Sequence, residues 1–244
     1  MRKITVVFFF ILSLSAFAGN LHVESGSKKN TLIELYTSEG CSSCPPAEEY
    51  LNMYKNNSEL WKTWIPVAFH VDYWDYIGWK DRYAEKKYGQ RQSRYAKLKH
   101  VSTVYTPAFM VNGQNWRTGF FSRELKESNI DVGNLSLNIE NGLINANFKS
   151  LKKIASALKL NVALLGMDLS TYIERGENSG RSAKHEFVVV GFSSKQSNNS
   201  NWKIPLPKKH YHGAKKYGLA VWVSEGNDPT PVQATGMFLP SYNE

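Results

Sequence analysis

The placing of the two cysteines constrains this chain most. Cys41 and Cys44 stand three apart in TSEGCSSCPPAEE, residues 37 to 49. Ahead of them, TLIELYT (Thr31–Thr37) is short, apolar and closed by Ser38-Glu39-Gly40, the pattern of a buried strand. After them, PPAEEYLNMYKNN (45–57) reads as a helix, with Glu48 and Glu49 in its positive first turn. A C-x-x-C between strand and helix admits three readings: a redox pair, part of a metal site, or a structural bridge.

Each reading makes a different demand. Amides at a helix N-terminus are unpaired and partly positive, so a thiolate there is stabilised and becomes a nucleophile near neutral pH. A second thiol one turn away can attack the mixed disulfide that forms. On that reading Cys41, on the exposed loop side, attacks, Cys44 resolves, and the two cycle through a Cys41–Cys44 disulfide. The prolines qualify this. Proline fits a helix only in its first turn. Pro45-Pro46 therefore sets the helix start near Cys44 or Pro45, with Cys41 in the preceding turn and little direct help from the dipole.

The compartment weighs on the choice. Arg2 and Lys3 precede an apolar run, Ile4–Leu14, and then Ala16-Phe17-Ala18. This is the order of a secretory signal, and cleavage is expected after Ala18. Residues 1–18 are thus read as a signal peptide, and the mature protein as exported to the periplasm or beyond. No later stretch is apolar enough to span a membrane. Disulfides persist in such compartments. Two cysteines are too few for a disulfide scaffold, and too few for a closed zinc site unless histidines join them.

Loss of Arg2 and Lys3 lowers the net charge from +9 to +7. Eight Lys/Arg fall in residues 80–99, against Asp81 and Glu85. This reads as a helix, roughly Lys80–Lys99, with a solvated basic face, since export argues against a nucleic-acid partner.

Along the chain, Gly19–Asn30 is polar and expected to be loose. Trp64–Val71 is a second buried strand. Ala108–Val111 and Gln114–Arg117 are strands joined by an Asn112-Gly113 type I′ turn, and Ser122–Glu127 is a short helix signal. Residues 31–130 give the order β-α-β-α-β-β-α, hence a four-stranded mixed sheet with helices on its faces. Residues 131–244 carry alternating segments, a second hairpin at Asn141-Gly142 and no long helix. They are read as a β-rich, sandwich-like C-terminal domain.

Thr106-Pro107 opens the third strand, which is expected to run antiparallel to the first and so to start beside Cys41. With the element order, this resembles the thioredoxin superfamily. The resemblance implies a cis Thr106–Pro107 bond facing the C-x-x-C and holding substrate backbone. The segments LIELYTSEGCSSCPPAEEYL, FHVDYWDYIGWKDRYA, RQSRYA, VYTPAFMVNG, RGENSGRSAKHEFVV and AVWVSEG together are similar to a bacterial family of exported thioredoxin-like proteins of unknown function. They run in order from about residue 32 to the C-terminus. The resemblance implies a thioredoxin-like α/β fold with an appended β-rich region and an envelope location. It implies no reaction.

The end of the second strand neighbours the end of the first, which brings HVDYWD, His70–Asp75, to the rim of the cysteines. Asp72 or Asp75 could accept a proton during exchange. His70 is a base, a metal ligand or a core histidine. Tyr73, Trp74, Tyr76 and Trp79 form a docking surface or simply pack. The family resemblance singles out Arg175, Glu177, Asn178 and Arg181 in a Gly-rich loop, either closing over the cysteines or bridging the two halves. His210 and His212 are read as members of a solvated loop.

The favoured function is thiol–disulfide oxidoreductase, acting on protein or small-molecule thiols and disulfides with a redox partner and no cofactor. The alternatives are a non-catalytic binding protein with a structural Cys41–Cys44 disulfide, and a copper or zinc handler using Cys41, Cys44 and His70.

Overall fold

A computed structural model describes residues 20–117, 125–154 and 156–240. The signal-peptide reading of residues 1–18 lies outside these, as do Ser122–Glu124 of the expected short helix; Leu125–Glu127 are not helical.

The chain forms fourteen strands and two α-helices among the described residues. In order they are β1 (Leu21–Glu24), β2 (Thr31–Thr37), α1 (Pro45–Asn52), β3 (Trp64–His70), α2 (Lys86–Lys97), β4 (Ala108–Val111), β5 (Gln114–Trp116), β6 (Gly133–Glu140), β7 (Leu143–Ser150), β8 (Leu158–Met167), β9 (Leu169–Tyr172), β10 (Ser182–His185), β11 (Val188–Ser197), β12 (Asn201–Pro205), β13 (Lys216–Glu225) and β14 (Pro231–Leu239).

This corrects the expected fold class. A four-stranded thioredoxin-like α/β domain followed by a separate β-sandwich is not what forms. One eight-stranded sheet, ordered β14-β13-β8-β11-β3-β2-β4-β5, takes strands from both halves of the chain. The join is at β3, where Ala68 N donates to Phe187 O at 2.8 Å and Val188 pairs with Ala68 in parallel. The physical reason lies in β3 itself. All seven of its residues are buried, and a strand buried on both faces also needs ladder partners on both edges. A second sheet, β1-β6-β7-β12, covers part of the large one, and β9 and β10 form a separate ribbon.

Smaller corrections follow the same physics. Of the segment 19–30, the described residues 20–30 are not loose: His22 lies opposite Asn138, and Asn30 N donates to Gln233 Oε1 at 2.9 Å. The basic helix begins at Lys86, not Lys80. Asp81 Oδ1 accepts from Tyr83 N at 2.9 Å, and Glu85 N donates to His70 O at 3.3 Å, so the backbone before Lys86 is spent on turns. The first helix ends at Asn52 and continues as a 3-10 turn, Met53–Asn56. The Asn112-Gly113 turn forms as expected, with φ of 48° and 81°, the left-handed pair a type I′ turn requires.

Two apolar cores result. One, containing Leu32, Leu35, Phe69, Phe109 and Trp222, surrounds β2 and β3. The other lies between the two sheets and contains Leu137, Phe148, Leu160, Leu164 and Val221. Each such side chain, fully buried, contributes about 1.5–3 kcal/mol of transfer free energy. Strand alternation puts Glu34 and Tyr36 on the α2 side of β2, and Thr37 on the α1 side. Thr37 pairs in parallel with His70, so both point toward α1.

Candidate functional site

After β2 the chain makes two successive turns. Cys41 N donates to Ser38 O at 3.1 Å, and Cys44 N donates to Cys41 O at 3.2 Å. Cys44 caps α1, and Pro45 and Pro46 fill its first two positions, so Cys41 sits in the turn before the helix, as the prolines predict. Proline carries no N–H, and the next amides, of Ala47 and Glu48, both donate to Cys44 O. The first turn of the helix therefore has no spare donor to offer the Cys41 sulfur.

Both cysteines are free thiols, and both are buried. This corrects the expectation that Cys41 is exposed: it is 1% accessible, and the exposed tip is Ser42-Ser43. The two sulfurs are driven apart in acidity. Cys41 is lowered to about 6. The Cys44 thiol donating to it is the largest cause, burial opposes, and the Ser43 and Thr106 hydroxyls add to the lowering. Cys41 Sγ lies 3.4 Å from Ser43 Oγ. Cys44 is pushed well above the ordinary thiol range by burial, and further by the Cys41 sulfur beside it.

Thr106 and Pro107 lie beside this turn because Tyr36 pairs with Ala108 across β2 and β4. The Thr106–Pro107 bond is cis. Trp74 Nε1 donates to Thr106 Oγ1 at 2.6 Å, which leaves the threonine hydroxyl proton for Cys41. Tyr73 donates to Gln92 Oε1 at 3.1 Å, and its pKa is raised, by burial first and then by the Cys44 sulfur. Tyr73 and Trp74, read as docking candidates, both pack against the core around β2 and β3; Tyr76 is exposed.

Behind the cysteines lies a buried cluster of five ionisable side chains. Thr37 Oγ1 donates to Glu48 Oε1 at 2.6 Å, and Glu48 Oε2 is 2.5 Å from His185 Nδ1. His185 Nε2 is 3.2 Å from Glu39 Oε1, and Glu39 Oε2 accepts from Trp79 Nε1 at 2.7 Å. His70 Nδ1 is 2.7 Å from Asp81 Oδ2, which also accepts from Glu39 N at 2.9 Å. Burial would lower both histidines, but the carboxylates outweigh it. Glu48 and Glu39 raise His185 to about 10, and Asp81 raises His70. Glu48 and Asp81 are held low against burial, by His185 and His70 respectively.

A loop from the second half of the chain roofs the turn. Asn178 is buried, and its amide donates to Glu39 O at 2.8 Å and to Cys41 O at 2.9 Å. Glu177 Oε2 accepts from Ser42 N at 3.3 Å. Gly176, at φ 80°, lets the loop pass Trp79, whose Cβ would stand 3.2 Å from an added Cβ. Arg175 and Arg181 stay exposed. Arg181 lines a cleft of about 590 Å³ with Glu39, Glu48, Asn178 and His185.

The structure thus brings Cys41, Cys44, Thr106, Pro107, Tyr73, Trp74 and Asn178 together. Asp75 instead accepts from Asp81 N at 3.2 Å, and Asp72 lies near Gly89 of α2. His70 is a buried core histidine bound to Asp81, grouped with Glu48 and His185 rather than with the sulfurs. His210 is half-buried, with Nε2 3.2 Å from Tyr83 O. Sequence reasoning missed Thr37, Glu39, Glu48, Asp81 and His185 as a unit. Each has a local excuse as a strand end, turn or helix start, and only their convergence marks them.

The class is that of a chain with a buried C-x-x-C turn at a strand-to-helix junction of a mixed sheet. The particular family comes from sequence: residues 32–224 match the family described as a protein of unknown function, DUF1223, and the chain belongs to it. No curated protein matches the chain. Among solved structures it is similar to protein AGR_C_4864 from Agrobacterium tumefaciens, at 22% identity and TM-score 0.63, over 88% of this chain and 96% of that one. It is also similar to HBP35 of Porphyromonas gingivalis, at 14% identity and TM-score 0.58, over 90% of this chain and 79% of that one. At these identities the likeness is one of fold.

Proposed function

We propose that the protein is a thiol–disulfide oxidoreductase of the bacterial envelope, with Cys41 as nucleophile and Cys44 as resolving thiol. The observation that carries this reading is the opposite displacement of the two thiols, Cys41 down to about 6 and Cys44 up. Two touching thiols divide in this way; the Ser43 and Thr106 hydroxyls beside Cys41, which add to its lowering, are what a purely structural pair has no need of.

The Cys41 thiolate attacks one sulfur of a substrate disulfide, forming a mixed disulfide and releasing the other sulfur as a thiolate that takes a proton. The charge on Cys41 is then gone, and with it one cause of the raised Cys44 pKa. Cys44 passes its proton through Thr37 to Glu48, 2.6 Å further on, and attacks Cys41 Sγ. The products are a Cys41–Cys44 disulfide and a second substrate thiol. A dithiol partner restores the pair, and the same steps reversed would oxidise a substrate. Because Cys41 is buried, the Asn178 loop must yield to admit a disulfide. The export reading of residues 1–18 supports an exchange in the envelope, where disulfides persist.

The test uses glutathione disulfide. Cys44→Ser is expected to accumulate one glutathione adduct on Cys41, read by mass, while Cys41→Ser accumulates none. Failure of Cys44→Ser to trap an adduct over hours would sink the reading.

A further inference from the structure

The cluster behind the cysteines contains an anomaly that thiol exchange does not use. His70 is wholly buried, its Nδ1 is engaged by Asp81, and its Nε2 has no partner among the described residues. An orphaned ring nitrogen costs about 1–3 kcal/mol whether it carries a proton or a bare lone pair. One donor atom from each of Glu48, His70 and His185 lies within 4.8 Å of the others. We propose that Glu48, His70 and His185 form a binding site for one divalent transition-metal ion of the zinc class.

Four features argue for a built site rather than a chance grouping. First, the donors are two imidazoles and a carboxylate, the set that suits zinc and its first-row neighbours. Second, every donor residue has its own support. Asp81 holds His70 Nδ1 at 2.7 Å, Glu39 holds His185 Nε2 at 3.2 Å, and Thr37 holds the second oxygen of Glu48 at 2.6 Å. Metal-binding histidines regularly have a carboxylate or carbonyl behind them, which fixes the ring and leaves the other nitrogen free for the ion. Third, Glu39, Glu48 and Asp81 place three buried carboxylates around two rings, one more than the rings can match even when both are charged. Fourth, Glu39, Glu48 and His185 line the 590 Å³ cleft, which supplies an entry path and room for water at a fourth position.

The geometry needs only a modest adjustment. An ion about 2.0–2.2 Å from each donor wants donor separations of roughly 3.3–3.5 Å. The Glu48–His185 contact, now 2.5 Å, would open by about an ångström, and His70 Nε2 would close on them. Neither cysteine belongs to the set; Glu48 is shared with the proton relay, so the double cysteine variant, which keeps Glu48, tests the metal site apart from the exchange.

Cobalt(II), added to the reduced protein after chelator treatment, is the probe. The expected result is one equivalent bound, with visible ligand-field bands but no thiolate-to-cobalt charge-transfer band. The same spectrum is expected in Cys41→Ser/Cys44→Ser, and a loss of binding in His70→Asn. Asp81→Asn, which takes away the carboxylate behind His70 without removing a ligand of the ion, should weaken binding about 10–100-fold. X-ray absorption of the wild-type zinc complex, which needs no variant to fold, should report nitrogen and oxygen ligands without sulfur. Absence of stoichiometric uptake, sulfur in the shell, or undiminished binding by folded His70→Asn would overturn the site.

Discussion

Two buried charge clusters lie on opposite faces of β2, and they differ in completeness. On the α2 side, Glu34 meets Arg91. The guanidinium Nε donates to Glu34 Oε1 at 2.6 Å, Nη2 donates to Pro229 O at 3.2 Å, and Tyr95 donates to the other Glu34 oxygen. The cation also sits 5.0 Å from the Trp222 ring. Neither Arg91 nor Glu34 has an unsatisfied buried atom. On the α1 side, five ionisable groups leave His70 Nε2 orphaned, border an open cleft and reach the cysteine turn through Thr37. A closed cluster holds structure. An incomplete one beside two thiols of opposed acidity is where chemistry is expected.

The sharpest way to break this contrast is to attack the closed cluster. Arg91→Ala leaves Glu34 buried without its counter-ion and is expected to cost about 3–5 kcal/mol in denaturant unfolding. The paired replacement Glu34→Leu/Arg91→Met should recover most of that loss, because matched apolar groups often replace a buried ion pair at little cost. Its thiol reactivity should equal wild type. If the double variant instead loses Cys41 reactivity, the two faces are coupled and the contrast fails.

The open cluster should respond in the reverse way. Glu48→Gln keeps the shape but removes the proton acceptor. It is expected to slow release of the second substrate thiol by about 10²-fold or more, within the range of general-base losses, while the first attack by Cys41 is unchanged. Stopped-flow measurement of the two phases separates them; equal slowing of both would remove Glu48 from the relay. A smaller effect is expected at the roof. Asn178→Ala loses two hydrogen bonds of about 1 kcal/mol each and should raise the alkylation rate of Cys41 several-fold. A rate unchanged from wild type would mean that the loop does not gate the sulfur.

The sequence carried the local elements better than their neighbours. Thr31–Thr37, Trp64–His70 and the Asn112-Gly113 turn follow from apolar runs and turn chemistry, which act over a few residues. The eight-stranded sheet depends on Ala68 meeting Val188, and no local pattern names a partner 120 residues away. The apolar run 64–69 of β3 was the one hint that both of its edges were occupied. In the site, the spacing of Cys41 and Cys44 and the prolines placed the turn correctly. The proline pair also pointed to little direct help from the helix dipole; the Cys44 thiol and then the Ser43 and Thr106 hydroxyls lower Cys41 instead. Asp81 and His185 were hidden because each is an ordinary residue in its own segment. Asp81 looked like one acid among many bases until the fold turned it onto His70.

The account rests on Cys41 being an acidic thiol beside a reluctant one. The pH dependence of iodoacetamide alkylation, followed for each cysteine by peptide mass in the reduced wild-type protein, measures this directly. The expected result is a Cys41 midpoint near 6, with Cys44 unmodified across the neutral range. Midpoints for both cysteines near the unperturbed value of about 8.5 would contradict it.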